Sequence, residues 1–144
     1  MRKLVWLLAI LPLFVLKTWA QSPINLTISN IKNTNGSILI SVFNSADGFP
    51  GDDKKAIAKY KIEKISGVTA KFKITGLKPG KYAVSILHDE NNDQICNTNI
   101  LGIPNEGIGC SNNPKSVMGP PKYKDSEFEY TGESITLHIK MKYI

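Results

Sequence analysis

The stretch VTAKFKITGLKPGKYAVSIL, residues 68–87, decides the fold. Val68, Ala70, Phe72 and Ile74 alternate with Thr69, Lys71, Lys73 and Thr75. That period of two belongs to a strand with one buried and one solvated face. Residues 76–80, with Pro79-Gly80, supply the turn chemistry that ends it. The run KYAVSIL, residues 81–87, then resumes as the most apolar strand of the chain and is expected in the middle of a sheet.

Working outward, residues 24–31 (INLTISNI) and 37–44 (SILISVFN) read as two strands around the turn Asn33-Thr34-Asn35-Gly36, in the form of a hairpin. Residues 45–53 carry Gly48, Pro50 and Gly51 and read as a loop, and residues 54–58 leave room for one helical turn. A second hairpin is expected between residues 58–65 and 68–75 around Ser66-Gly67. Towards the end, residues 127–130 form a short strand. Residues 134–143 set Ile135, Leu137, Ile139, Met141 and Tyr143 opposite Thr136, His138, Lys140 and Lys142. About seven short strands with regular turn signals predict an all-β fold, a single antiparallel β-sandwich with one long structured loop. A barrel is the alternative.

The first twenty residues have a cationic start (Arg2, Lys3), an apolar run over 4–16 and Thr18-Trp19-Ala20 before Gln21. This order is that of a secretory signal peptide cleaved after Ala20, which leaves one domain over 21–144. The apolar run falls short of the roughly 20 residues a membrane-crossing helix needs, so no membrane span is expected after cleavage. Of 18 basic residues three lie in this segment, and the remainder carries +3 rather than +6. Its lysines are scattered and are not interleaved with aromatics, which argues against a nucleic-acid surface. The expected address is the periplasm or the cell surface.

Residues 88–121, HDENNDQICNTNILGIPNEGIGCSNNPKSVMGPP, show no clear rhythm and hold both cysteines. Irregular segments of this length in a compact domain usually carry function. Ile95, Ile100, Leu101, Ile103, Ile108, Val117 and Met118 are expected to pack the loop onto the sandwich end. In an exported protein Cys96 and Cys110 can pair, closing a loop worth on the order of 3 kcal/mol in the chain-entropy model. The alternative is two buried thiols.

Asp89, Asn91, Asp93, the Ile95 carbonyl and Asn97 fall at every second position, the spacing of oxygen donors that coil around calcium. Gln94 stands where such loops have a turn glycine, and Ile100 where they have a bidentate glutamate, a role Glu106 would have to fill from elsewhere. A set this poor in carboxylates predicts weak affinity, roughly 0.1 to 1 mM. The competing reading is a network of Asx turns in which the side chains bond their own backbone.

Catalytic readings are weaker. His88 beside Asp89 and Glu90 lacks a second convergent histidine, since His138 lies on a wet face. Ser111 and Ser116 have no nucleophile-elbow pattern around them. Asp89 with Glu106 would need a fixed separation to act as a glycosidase pair.

The segment 72–84, FKITGLKPGKYAV, is similar to the strand-turn-strand element of transthyretin-like and collagen-adhesin B-type sandwiches. Together with His88-Asp89-Glu90-Asn91, Thr98-Asn99, Gly102-Ile103-Pro104, Glu106-Gly107, Gly109, Ser111-Asn112-Asn113, Gly119-Pro120-Pro121 and Phe128, it resembles domain-of-unknown-function family 2141, a group of exported bacterial proteins. The resemblance implies an immunoglobulin-like or transthyretin-like sandwich and brings no activity with it. The chain departs from the family pattern in three places. Asn92, Asp93 and Gln94 replace a glycine-bearing run, Asn97 replaces an acid, and Cys96 and Cys110 stand where apolar or aromatic residues are usual. Two contacting apolar positions both becoming cysteine would fit a disulfide.

The function expected on these grounds is that of a secreted, non-enzymatic module binding a protein or glycan partner through the 88–121 loop, with calcium as its one candidate ion. The rival is a small extracytoplasmic hydrolase or carbohydrate-active enzyme using Asp89, Glu106 or His88.

Overall fold

The computed structural model describes residues 21–115 and 118–144. The signal peptide expected over 1–20 lies outside them, as do Ser116 and Val117. Among the described residues eight strands follow one another: β1 (Ile24–Ser29), β2 (Ser37–Phe43), β3 (Ala58–Ile62), β4 (Thr69–Ile74), β5 (Gly80–Asp89), β6 (Gly107–Cys110), β7 (Phe128–Tyr130) and β8 (Ile135–Lys140). A three-stranded sheet runs β4-β1-β8, and a five-stranded sheet runs β3-β2-β5-β6 with β7 also paired to β5. The fold is thus the expected β-sandwich.

Its wiring differs from the expected one. Neither hairpin forms, because β1 pairs with β4 and β8 while β2 pairs with β3 and β5. Residues 30–36 and 63–68 therefore cross from one sheet to the other. The reason is burial: Ile24, Leu26 and Ile28 of β1 and Ile38, Ile40 and Val42 of β2 are all buried in one core. Two such apolar faces are sealed better by facing each other than by lying side by side in one sheet. β1 and β8 run parallel, in register Leu26↔Leu137 and Ile28↔Ile139, the one parallel pair among the described strands.

The additional strand, β6, sits inside the stretch that reads as irregular. Its sequence GIGC has no strand signal of its own, and pairing with β5 creates it, from Ser85↔Cys110 to His88↔Gly107. Among the described residues, helical structure is limited to a 3-10 turn at Asp53–Lys55 and a single turn at Tyr123–Ser126. No helix among the described residues is long and apolar enough to cross a membrane.

The core is built by Ile28, Ile40, Val84, Ile86, Tyr130, Ile139 and their neighbours. Val68, expected to share the apolar face of β4, lies before the strand and is exposed. Edge strands β3 and β4 turn Lys59, Lys61, Lys71 and Lys73 to solvent, charges that discourage pairing with another chain.

Candidate functional site

β5 delivers His88 and Asp89 at its end, both with no exposed surface. His88 Nε2 is 2.8 Å from the Asn35 carbonyl, which can only accept, so that nitrogen carries the hydrogen. In the neutral ring Nδ1 then accepts from the Tyr143 hydroxyl at 2.7 Å, whose oxygen in turn accepts the Lys32 N–H at 3.0 Å. His88 thus ties three segments together and offers no free nitrogen for chemistry. His138 is exposed on β8, as expected.

Asp89 holds the first turn of the loop. Its Oδ1 accepts the Asp93 N–H at 3.1 Å and its Oδ2 the Gln94 N–H at 3.0 Å. Gln94 has φ 62°, so it takes the left-handed conformation that the sequence, lacking a glycine there, left in doubt. Glu106, also buried, closes the base: Oε1 accepts from Glu90 N at 3.0 Å and Oε2 from Asn97 N at 3.2 Å. Gly36 lies so close to the Asp89 carbonyl that any side chain there would strike it, and its φ of +65° also favours glycine.

Asn91, Asp93 and Asn97 do converge. Asp93 Oδ2 accepts from Asn91 Nδ2 at 2.9 Å and Asn97 Nδ2 at 3.0 Å, while Asp93 Oδ1 accepts the Ile95 N–H at 2.8 Å. These bonds hold the Asp93 carboxyl below its ordinary pKa of 3.8, the Asn97 contribution being the largest. The Ile95 carbonyl makes no hydrogen bond among the described ones. Among the described residues no three His, Cys, Asp or Glu side chains are grouped to hold a metal. Of the oxygen donors read from the sequence, Asp89 and Glu106 are turned onto backbone N–H groups and Asn91, Asp93 and Asn97 form an Asx network.

The loop then folds back on itself. Thr98 bridges Pro104, and the Gly102 N–H reaches the Asn99 carbonyl at 2.9 Å, which sets Ile100 and Leu101 at the apex of a β-turn. Asn99 Oδ1 stiffens it by accepting from Leu101 N and Ile103 N at 2.8 and 3.1 Å. The expected apolar packing of this loop does not occur: Ile95, Ile100, Leu101 and Met118 are exposed, Ile103 and Ile108 are only partly buried, and Val117 lies outside the described residues. Backbone groups that need partners are satisfied by buried carboxylates and asparagines instead, which leaves the aliphatic side chains free to face outward.

The disulfide expected between Cys96 and Cys110 is not formed, and both thiols are free. Cys110 is buried at the end of β6 and its thiol is pushed up to about 12 by burial. Cys96, exposed at the surface, is raised by partial desolvation and then by the charge of Glu106. Neither is a ready thiolate nucleophile. Ser111 is buried, donating to the Ser126 carbonyl at 2.5 Å and accepting from Val84 N at 2.9 Å, so it pins β6 to β5. Asn112, next to it, donates to the Glu127 carbonyl at 2.7 Å. Gly107, the first residue of β6, is covered by the Tyr143 ring.

The outer face of the five-stranded sheet forms the floor of an open groove of about 1400 Å³, walled by residues 48–54 and by residues 94–96 and 101–104. Leu39, Leu87 and Ile108 lie in its floor. The alternation that marks the core face of β2 and β5 also leaves these leucines on the opposite face, a signal that only cross-strand register makes readable.

Fold and site together define a two-sheet β-sandwich with one long loop anchored by buried polar groups. The chain matches the family described as "Uncharacterized protein conserved in bacteria (DUF2141)" over residues 26–138, and it belongs to that family. No curated protein and no solved structure is significantly similar to it.

Proposed function

We propose that the protein is an exported, non-enzymatic binding module that presents its 88–121 loop as a rigid face to a protein or glycan partner in the periplasm or at the cell surface. The observation that carries this reading is an inversion within the loop. The groups an enzyme would use, His88, Asp89 and Glu106, are buried and occupied by backbone or phenol partners. The groups a partner would touch, Ile95, Ile100 and Leu101, stand in solvent. Export is supported by the cationic, apolar and small-residue order of residues 1–20.

The test is a photo-cross-linking residue placed at position 101 in living cells, with the same residue at Lys71 on the opposite sheet as control. Discrete adducts at 101 that are absent at 71 are expected. Identical patterns at both positions would defeat the proposal. Intact mass of the exported protein, expected to begin at Gln21, tests the address.

A second reading, a weak calcium loop over 89–97, draws on the left-handed Gln94 and the convergence of Asn91, Asp93 and Asn97. Rotating the two amides would turn their oxygens towards the ion beside Asp93. Calorimetric titration should then show millimolar binding, as in extracellular modules. No heat and no rise in melting temperature at several millimolar calcium would dismiss it.

A further inference from the structure

We infer that the groove on the outer face of the five-stranded sheet takes an amphipathic anion, a single-chain carboxylate with its head at Lys61 and its chain across Leu39, Leu87 and Ile108. The inference goes beyond the proposed protein or glycan partner of the loop and adds a small-molecule ligand on the sheet face beside it.

The register carries the argument. Leu39 is paired with Lys61 on one side and Leu87 on the other, and Leu87 is paired with Ile108. One row across four strands therefore runs cation, aliphatic, aliphatic, aliphatic, over roughly 14 Å at ordinary strand spacing. The adjacent row runs Lys59, Ser41, Ser85, Cys110, and its smaller side chains deepen the floor beside the aliphatic strip. The walls supply more apolar surface on the loop side through Ile95 and Leu101.

The lining holds more cations than anions, Lys54, Lys59, Lys61 and Lys142 against Asp52 and Asp53. Of the two carboxylates, Asp53 pairs with Lys59 at 3.0 Å and Asp52 accepts the Lys54 N–H at 3.2 Å. Lys61 has no ion-pair partner among the described residues. At the far end Lys142 donates to the Pro114 carbonyl at 2.9 Å. Lys61, the one cation in the same row as Leu39, Leu87 and Ile108, thus stands unpaired beside an aliphatic strip in a lining with more lysines than carboxylates, which favours an anionic head with an apolar chain over a neutral or cationic one.

The experiment uses the purified protein and the fluorescent probe 11-(dansylamino)undecanoate. Laurate and dodecyltrimethylammonium, of equal chain length and opposite charge, compete below their micellar concentrations. Saturable probe binding is expected, displaced by laurate at a concentration roughly tenfold lower than by the cation. Lys61→Glu, an exposed change, should weaken probe binding by roughly tenfold with an unchanged melting temperature, while Lys71→Glu on the other sheet should leave it alone. Equal displacement by both competitors, or an unaffected Lys61→Glu variant, would overturn the assignment of an anionic head. Absence of saturable binding would overturn the ligand class. If cross-linking at position 101 still yields discrete adducts in that case, the binding face stands and only the groove's proposed ligand falls. If both experiments are blank, both readings fall.

Discussion

The sandwich and the 88–121 loop solve the same problem with opposite materials. In the sandwich, aliphatic side chains such as Ile40, Ile86 and Ile139 point inward and solvated ones such as Lys71 and Lys73 point out. In the loop, Asp89, Glu106 and Ser111 are inside and Ile95, Ile100 and Leu101 are outside. A strand satisfies its own backbone through its neighbours, so its side chains are free to be apolar. An irregular loop has unsatisfied N–H groups, and charged or amide side chains are the acceptors that make its burial tolerable. The lesson is that this loop is held by buried polar groups and not by apolar packing, which leaves its aliphatic residues in solvent.

The contrast can be broken most forcefully in the core. Ile86→Ala should lower the unfolding free energy by about 3 kcal/mol, read from the urea midpoint. A loss below about 1 kcal/mol would mean that the two sheets are not sealed there. Asp89→Ala, which removes the acceptor of two backbone N–H groups, should cost about 2 kcal/mol. Its signature is local: a protease should cut within 89–106 before the sandwich opens, and simultaneous loss of both regions would merge what is separated here. Tyr143→Phe removes only the hydroxyl between Lys32 and His88 and should cost about 1 kcal/mol.

Smaller still is the double change Ile100→Ser with Leu101→Ser. It should alter stability by no more than about 0.5 kcal/mol while abolishing adducts formed through the loop. A large stability loss would show that the apex packs after all. The thiols give a check with no stability cost at neutral pH. Alkylation of unreduced native protein should label Cys96 alone, slowly, and both cysteines after unfolding. Failure to label either in the unfolded state would restore the disulfide. Because the folded value of Cys110 is raised from 9.0 to about 12, its share of stability is complete below pH 9 and drains away as pH rises towards 12.

Much of the fold is legible in the sequence. The alternation at residues 69–74 and 135–140 placed β4 and β8 with their faces correct, because each strand needs only one apolar row to declare itself. Strand partners were not legible. Asn33 to Gly36 reads as hairpin chemistry, yet the same residues serve an arch between sheets, since a turn motif reports local dihedrals and not which strand lies beside which. β6 was hidden because Gly107 and Gly109 carry no pattern, and the groove because Leu39 and Leu87 acquire meaning only side by side.

The loop divides in the same way. The residue types of 88–121 by themselves determined that this segment is rich in acids and amides and so holds many acceptors for backbone N–H groups. Only the tertiary structure decided which of those side chains turn inward. Asp89 and Glu106 are spent on N–H groups from residues 90–97, and the spacing that suggests an ion loop equally allows those bonds. Sequence fixes which donors and acceptors exist and how far apart they lie along the chain. Which of them meet depends on the sheet edge that holds β5 and β6 together, and that edge is a product of the whole core.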